Sequence, residues 1–235
     1  MSNQMLIERR DAVALVTLNR PEKRNALSLD LREQIARELP ALMLDDEIGC
    51  VVLTGAGSAF CSGMDVTQFG GDAANRERIA DASVAAFSAL SQLAMPAIAA
   101  VNGPAIAGGL ALALHCDVRI ASETATFGFG ELPRGIPPSY AAARAALPAA
   151  VARDLCLTGR IVHAGEAEAR GIVSEVVEPE ALLPRALELA TAIADQPWVA
   201  RVTKRRILLE REHLFGLLFE EEEQLLRDSL LRGPR

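Results

Sequence analysis

Apolar and polar positions alternate near the start of the chain, and then the period changes. Met5 to Glu8 and Val13 to Leu18 flank the turn-like Arg9-Arg10-Asp11 and predict a hairpin of two strands. After Asn19-Arg20-Pro21, Ser28 suits a helix N-cap. Leu31, Ile35, Leu39 and Leu42 then recur at helical spacing to about Leu44. Cys50 to Leu53 predicts a buried strand running into the glycine loop Thr54-Gly55-Ala56-Gly57. The unit repeats: a helix from about Arg76 to Leu93, a strand Ala97 to Val101, a loop Asn102-Gly103-Pro104, a small-residue helix Gly108 to His115 and a strand Asp117 to Ala121. Alternating strands and helices predict an α/β fold with sequential right-handed crossovers.

From about Glu180 the pattern is wholly helical, with Leu183, Leu187, Ala190 and Ala194 on one face and a break at Asp195-Gln196-Pro197. Two further helices are expected, about Trp198 to Glu210 and Leu214 to Leu230, the second with Leu217, Leu218, Leu225 and Leu226 at helical spacing. The division that follows is a core over residues 1–195 and a helical tail over 196–235.

Composition narrows the function classes. Half of the 235 residues are apolar but only 4% are aromatic, which suits helix-on-sheet packing better than stacking on bases, so no nucleic-acid partner is expected. With a net charge of −7, an anionic ligand must be met by local basic groups or helix N-termini. Cys50, Cys61, Cys116 and Cys156 lack paired or metal-like spacing, which predicts reduced thiols, no metal and a cytoplasmic protein. Met1 to Arg10 carries no signal-like apolar core, and no segment approaches a membrane span.

Three local signals suggest chemistry. Ser58-Ala59-Phe60-Cys61-Ser62-Gly63-Met64-Asp65 is a loop after a strand, and Asn102 to Gly109 is a loop entering a helix, so each could point an amide at one oxygen. In Phe127-Gly128-Phe129-Gly130-Glu131-Leu132-Pro133 one acid follows an apolar, glycine-rich run; partial desolvation there would make Glu131 a usable base. Gly55-Ala56-Gly57 fails as a dinucleotide motif because Phe60 holds its third glycine position. His115-Cys116-Asp117 reads as core packing and capping, and Cys61 as a small core residue.

Together these motifs resemble the crotonase, or enoyl-coenzyme A hydratase/isomerase, family over about residues 5 to 230. The similarity rests on Thr17 to Pro21 with Asn25-Ala26-Leu27, Ala59 to Asp65, Ala99 to Gly103, Gly108-Gly109, Cys116-Asp117, Phe127 with Glu131, and Leu157-Thr158-Gly159. The resemblance implies a spiral of β-β-α turns followed by a C-terminal helical trimerisation region, assembled as a homotrimer or dimer of trimers. It implies an acyl-CoA thioester as substrate and no cofactor beyond that coenzyme A. The oxyanion hole falls on the amides of Met64 and Gly108, where one donor contributes roughly 3 to 4 kcal/mol. Lys23, Arg24, Ala26, Ala59 and Asp65 fall on substrate-binding positions, with Lys204-Arg205-Arg206 as further candidates for a phosphate.

The family's hydratases carry two glutamates; here the second is Glu131 and the first is Ala111. One carboxylate suffices to convert a 3-enoyl into a 2-enoyl thioester, which is the expected reaction. The alternatives are a single-glutamate hydratase like feruloyl-coenzyme A hydratase-lyase, whose Gly-Ile-Pro-Pro stretch is similar to Gly135-Ile136-Pro137-Pro138, and a non-catalytic acyl-CoA-binding trimer. Ala111 and Tyr140 are possible pocket residues.

Overall fold

The computed structural model describes residues 3–132 and 135–232, so Pro133 of the Glu131 motif lies outside the described residues. The chain opens with β1 (Met5–Arg10) and β2 (Val13–Leu18), paired antiparallel as the hairpin pattern predicts. A 3-10 turn (Pro21–Lys23) leads into α1 (Leu29–Leu42), whose N-cap Ser28 accepts a hydrogen bond from Leu31 N–H. Leu31, Ile35 and Leu39 form its buried row. β3 (Cys50–Gly55), α2 (Ala73–Ser91), β4 (Ala97–Val101) and the two-residue β5 (Ala105–Ile106) follow. Then come α3 (Gly108–His115), β6 (Val118–Ser122) and β7 (Thr126–Gly128).

The second half holds α4 (Tyr140–Ala146), α5 (Ala149–Thr158), β8 (Val162–His163), α6 (Ala164–Ala169), β9 (Glu175–Val177), α7 (Pro179–Ala194) and α8 (Pro197–Arg232). Six strands form one sheet in the order β1-β2-β3-β4-β6-β9, parallel from β2 onward, and β5-β7-β8 form a second, smaller sheet. Among the described residues no helix is long and apolar enough to cross a membrane.

Successive strand residues face opposite ways, and both faces of the large sheet are covered. Val16, Val51, Leu53, Ala99 and Val101 join the main core with Leu31, Ile35 and Leu90. The intervening Val13, Leu15, Cys50, Val52, Ile98 and Ala100 meet Leu182, Ala186 and Ala190 of α7. Of the expected face of α7, Ala190 and Ala194 are buried, whereas Leu182 and Ala186 take the buried places expected of Leu183 and Leu187, which flank the row half-buried.

The tail also departs from expectation: α8 is one unbroken helix rather than two. Arg211, Glu212 and His213, between the two expected segments, all tolerate helix, and Gly216 costs only about 1 kcal/mol, too little to break a helix packed on α2 and α4. Lys204 on α8 is 2% exposed and holds both Asp117 oxygens at 2.8 Å; the same carboxylate accepts from Ala97 N–H. Lys204 is thus committed to the core and is not available to a ligand phosphate.

Candidate active site

The site is built where two loops are pressed together. The loop after β3 is held by two buried or half-buried amides: Asn25 Nδ2 donates to the carbonyls of Ala56 (2.9 Å) and Ala59 (2.7 Å), and Asn102 Nδ2 to that of Gly57 (2.9 Å). Further along, Cys61 N–H donates to Pro104 O (3.1 Å) and Ile106 N–H to Cys61 O (3.0 Å), which zips this loop to β5. Arg32, fully buried in α1, supports the same region by donating to Leu27 O at 2.6 Å.

The junction requires unusual backbone. Gly63 has φ +90°, and a β-carbon there would lie 2.8 Å from Ala107 Cβ and 3.3 Å from Gly108 N. Ala107, at φ 56° and ψ −126°, occupies a conformation that costs a non-glycine residue of order 1–3 kcal/mol. Such strain persists only where the surroundings enforce it, and here it turns the chain so that Gly108 begins α3. Among the described residues, neither Met64 N–H nor Gly108 N–H donates to a protein acceptor. Neither amide is spent inside the protein, and that of Gly108 stands at a helix N-terminus, where an anionic oxygen is favoured.

Glu131 is carried by the segment after β7. Ala107 N–H donates to Gly128 O at 2.8 Å, so this segment runs beside the strained turn. Its Oε2 is shielded from solvent. Met64, Gly108 and Glu131 line one cavity of about 910 Å³.

The structure brings most of the sequence-derived residues to that cavity and leaves two behind it. Lys23, Arg24, Ala26, Met64, Asp65, Gly108, Glu131 and Tyr140 line it. Lys23 and Arg24 are exposed at its mouth. Ala59 and Ala111 are at most 1% exposed and stand behind the wall; Ala59 serves through its carbonyl, which accepts from Asn25. Asp65 is not a spare acid. Burial works against its ionisation, yet bonds from Thr67 and Arg20 hold its carboxyl below the ordinary value.

Other lining groups were not marked as site residues by the sequence. His115 sits between Phe87 and Phe219, and burial, with Arg211 and Lys204, lowers it to about 3, so it is a neutral wall. The tail helix supplies Leu218, Phe219, Glu222 and Leu226. Glu222 accepts from Ala141 N–H at 2.6 Å, and burial pushes its carboxyl up to about 7. The four cysteines are free and buried, and burial pushes Cys61 up to about 12, which removes it as a nucleophile. Among the described residues no cluster of three or more His, Cys, Asp or Glu could hold a metal ion.

Loops after β3 and β5 and the segment after β7 thus bring Met64, Gly108 and one acid, Glu131, to a single cavity, groups able to receive an oxyanion and to move a proton. The family model for enoyl-CoA hydratase/isomerase matches residues 8–211. An enoyl-CoA hydratase, EchA19, of Mycobacterium tuberculosis is 39% identical over 243 aligned positions, covering 98% of this chain and 91% of the relative. A monofunctional enoyl-CoA isomerase of Mycobacterium smegmatis superposes with a TM-score of 0.75 at 36% identity, covering 90% of this chain and 95% of that one. An enoyl-CoA hydratase subunit of Geobacillus kaustophilus gives 0.82 at 32% identity, with 96% and 88% covered. The chain belongs to the enoyl-CoA hydratase/isomerase family and has the crotonase fold; it is an enzyme of that family.

Proposed function

We propose that this enzyme binds an acyl-CoA thioester with its carbonyl oxygen on the amides of Met64 and Gly108, and that Glu131 moves the proton that shifts a 3-enoyl double bond to the 2-position. The observation that carries this reading is that Met64 and Gly108, whose amides have no protein acceptor, line the same cavity as Glu131, while the α3 position where hydratases of the family hold an acid is the buried Ala111. Glu131 takes a proton from C2, and the C–H electron pair passes into the thioester, whose oxygen becomes an enolate held by the two amides. When the enolate collapses, the double bond forms between C2 and C3 and the former C3–C4 π pair takes the proton at C4. The same carboxylate, protonated in the first step, returns it, so no other cofactor is required.

Lys23 and Arg24, exposed at the mouth, are the groups that meet the coenzyme's phosphates. Trp198, Leu209 and Leu217, each at least 60% exposed on α8, support a trimeric assembly that covers them. A second reading, hydration with one glutamate, is favoured by relatives whose names are hydratase.

The test is Glu131→Gln. Turnover should fall by roughly 10² to 10⁴, while affinity for a saturated acyl-CoA stays within a few-fold. Undiminished turnover removes Glu131 from this role.

A further inference from the structure

Leu27 reaches both amides of the candidate oxygen site. Its N–H donates to Gly63 O at 2.8 Å and its carbonyl accepts from Asp65 N–H at 3.2 Å, so the residues on either side of Met64 are tied to it in a parallel bridge. In that pattern the bridged residue's own N–H points the other way, which turns the Met64 amide away from Leu27. A β-carbon on Gly108 would meet Leu27 Cδ1 at 3.4 Å. The Leu27 carbonyl has a second, shorter bond, 2.6 Å, from Nη2 of Arg32, whose Nη1 donates to Ser83 Oγ of α2 at 3.1 Å. Arg32 is wholly buried; among the described residues no carboxylate is ion-paired with it, and its Nε has no hydrogen-bond partner. Asp65 attracts it from a distance but is engaged by Arg20 at 3.1 Å and by Thr67. The Cys61 thiol, also within reach of the charge, is kept neutral by burial. Burial lowers Arg32 to about 10, which leaves it charged at neutral pH.

We propose that Arg32 is a positioning residue for the enolate: it fixes Leu27, and through Leu27 the Met64 amide, and its charge, unpaired within the protein, favours the anion that forms there. This rests on the reading that the amides of Met64 and Gly108 receive the oxygen of an acyl-CoA thioester. Two guanidinium groups, Arg20 and Arg32, share this region with one carboxylate, Asp65, so one positive charge is left over. An unpaired buried cation costs stability, and an apolar side chain of similar length should be tolerated in its place. The charge is of use where a negative charge develops during a reaction, within a site whose low polarity makes it sensitive to charge. A role limited to joining α1 to α2 would be served as well by apolar packing.

The experiment reads the enolate itself. Acetoacetyl-CoA, whose enolate absorbs in the near ultraviolet, is bound to the full-length protein and titrated between about pH 6 and pH 9. Arg32→Met and Arg32→Gln, which remove the charge, and Arg32→Lys, which keeps it, are compared with wild type. Bound to wild type, the ligand should form its enolate at lower pH than it does free in solution. In both uncharged variants the curve should move up by about one pH unit, a tenfold loss of enolate preference, and Arg32→Lys should recover part of it. Affinity for a saturated acyl-CoA should stay within a few-fold throughout. If one uncharged variant does not fold, the other decides. Uncharged variants whose curves lie on that of wild type, or an Arg32→Lys curve no lower than theirs, overturn the proposal and leave the acyl-CoA reading standing. A loss of saturated-ligand affinity as large as the enolate shift would make Arg32 structural only and overturns it too. A wild type that does not bind acetoacetyl-CoA, or leaves its curve where it lies in water, overturns that reading as well.

Discussion

Gly63 and Gly108 meet backbone to backbone: a β-carbon on Gly63 would sit 3.3 Å from Gly108 N, and one on Gly108 would sit 3.8 Å from Gly63 Cα. The tighter limit on Gly63 is Ala107, whose Cβ would lie 2.8 Å from an added β-carbon, so the turn that precedes Met64 is fixed against the turn that precedes Gly108. Gly63→Ala should push against Ala107 and strain a residue held at φ +90°. The expected outcome is a loss of about 1–3 kcal/mol in urea unfolding. Loss of aligned amides should also lower kcat by roughly 10² to 10³. An alanine variant with wild-type kcat would dissociate these amides from catalysis.

The buried pair Lys204–Asp117 ties the tail helix to the large sheet. Lys204→Met removes one charge and leaves Asp117, 16% exposed, without its cation. Removing one partner of a buried pair costs about 3–5 kcal/mol, and Asp117 keeps its bond from Ala97 N–H, so the lower end is expected. Chemical denaturation of the variant checks this; a change below about 0.5 kcal/mol would mean the pair contributes register rather than stability.

Two cavity groups should impose opposite pH dependences on stability. His115 is lowered from 6.5 to about 3, so between those values the unfolded chain binds a proton that the folded one refuses. Its contribution is present above pH 6.5 and is lost as pH falls toward 3. Glu222 is raised from 4.5 to about 7, so the folded chain binds the extra proton; that contribution is present below pH 4.5 and is lost as pH rises through 7. His115 of α3, Tyr140 of α4, Arg153 and Cys156 of α5, Glu131, and Glu221 and Glu223 of α8 share the cavity with it. Glu222→Gln should therefore gain on wild type, by about 1.4 kcal/mol, between pH 6 and pH 8. Thermal unfolding across that range gives the answer, and parallel curves for the two proteins would contradict it.

How much of this could be read from the chain depends on where each signal resides. Strands β1 to β4 and helices α1 and α3 announce themselves by period and by the Ser28 cap, because their partners are repetitive and local. The Met64, Gly108 and Glu131 positions are marked by glycines and one isolated acid. Glu222 is invisible: it stands in the run Glu220 to Glu223, which reads as a solvated helix face, and only its contact with Ala141, 81 residues away, turns it inward. Asn25 and Asn102 stand in motifs that carry the family resemblance, but their work, satisfying carbonyls of the loop after β3, shows only once those loops are brought together. The tail reads as two helices because the apolar spacing lapses over Arg211 to His213, while packing on α2 and α4 carries one helix through.

Incubating the purified enzyme separately with a 3-enoyl and a 2-enoyl CoA thioester in deuterated water, and weighing the products, tests enolate chemistry by Glu131 most directly. Deuterated 2-enoyl product from the first substrate, absent in Glu131→Gln, with no hydrated product from the second, is the expected result. Rapid addition of water to the 2-enoyl thioester without isomerisation of the 3-enoyl one would contradict it.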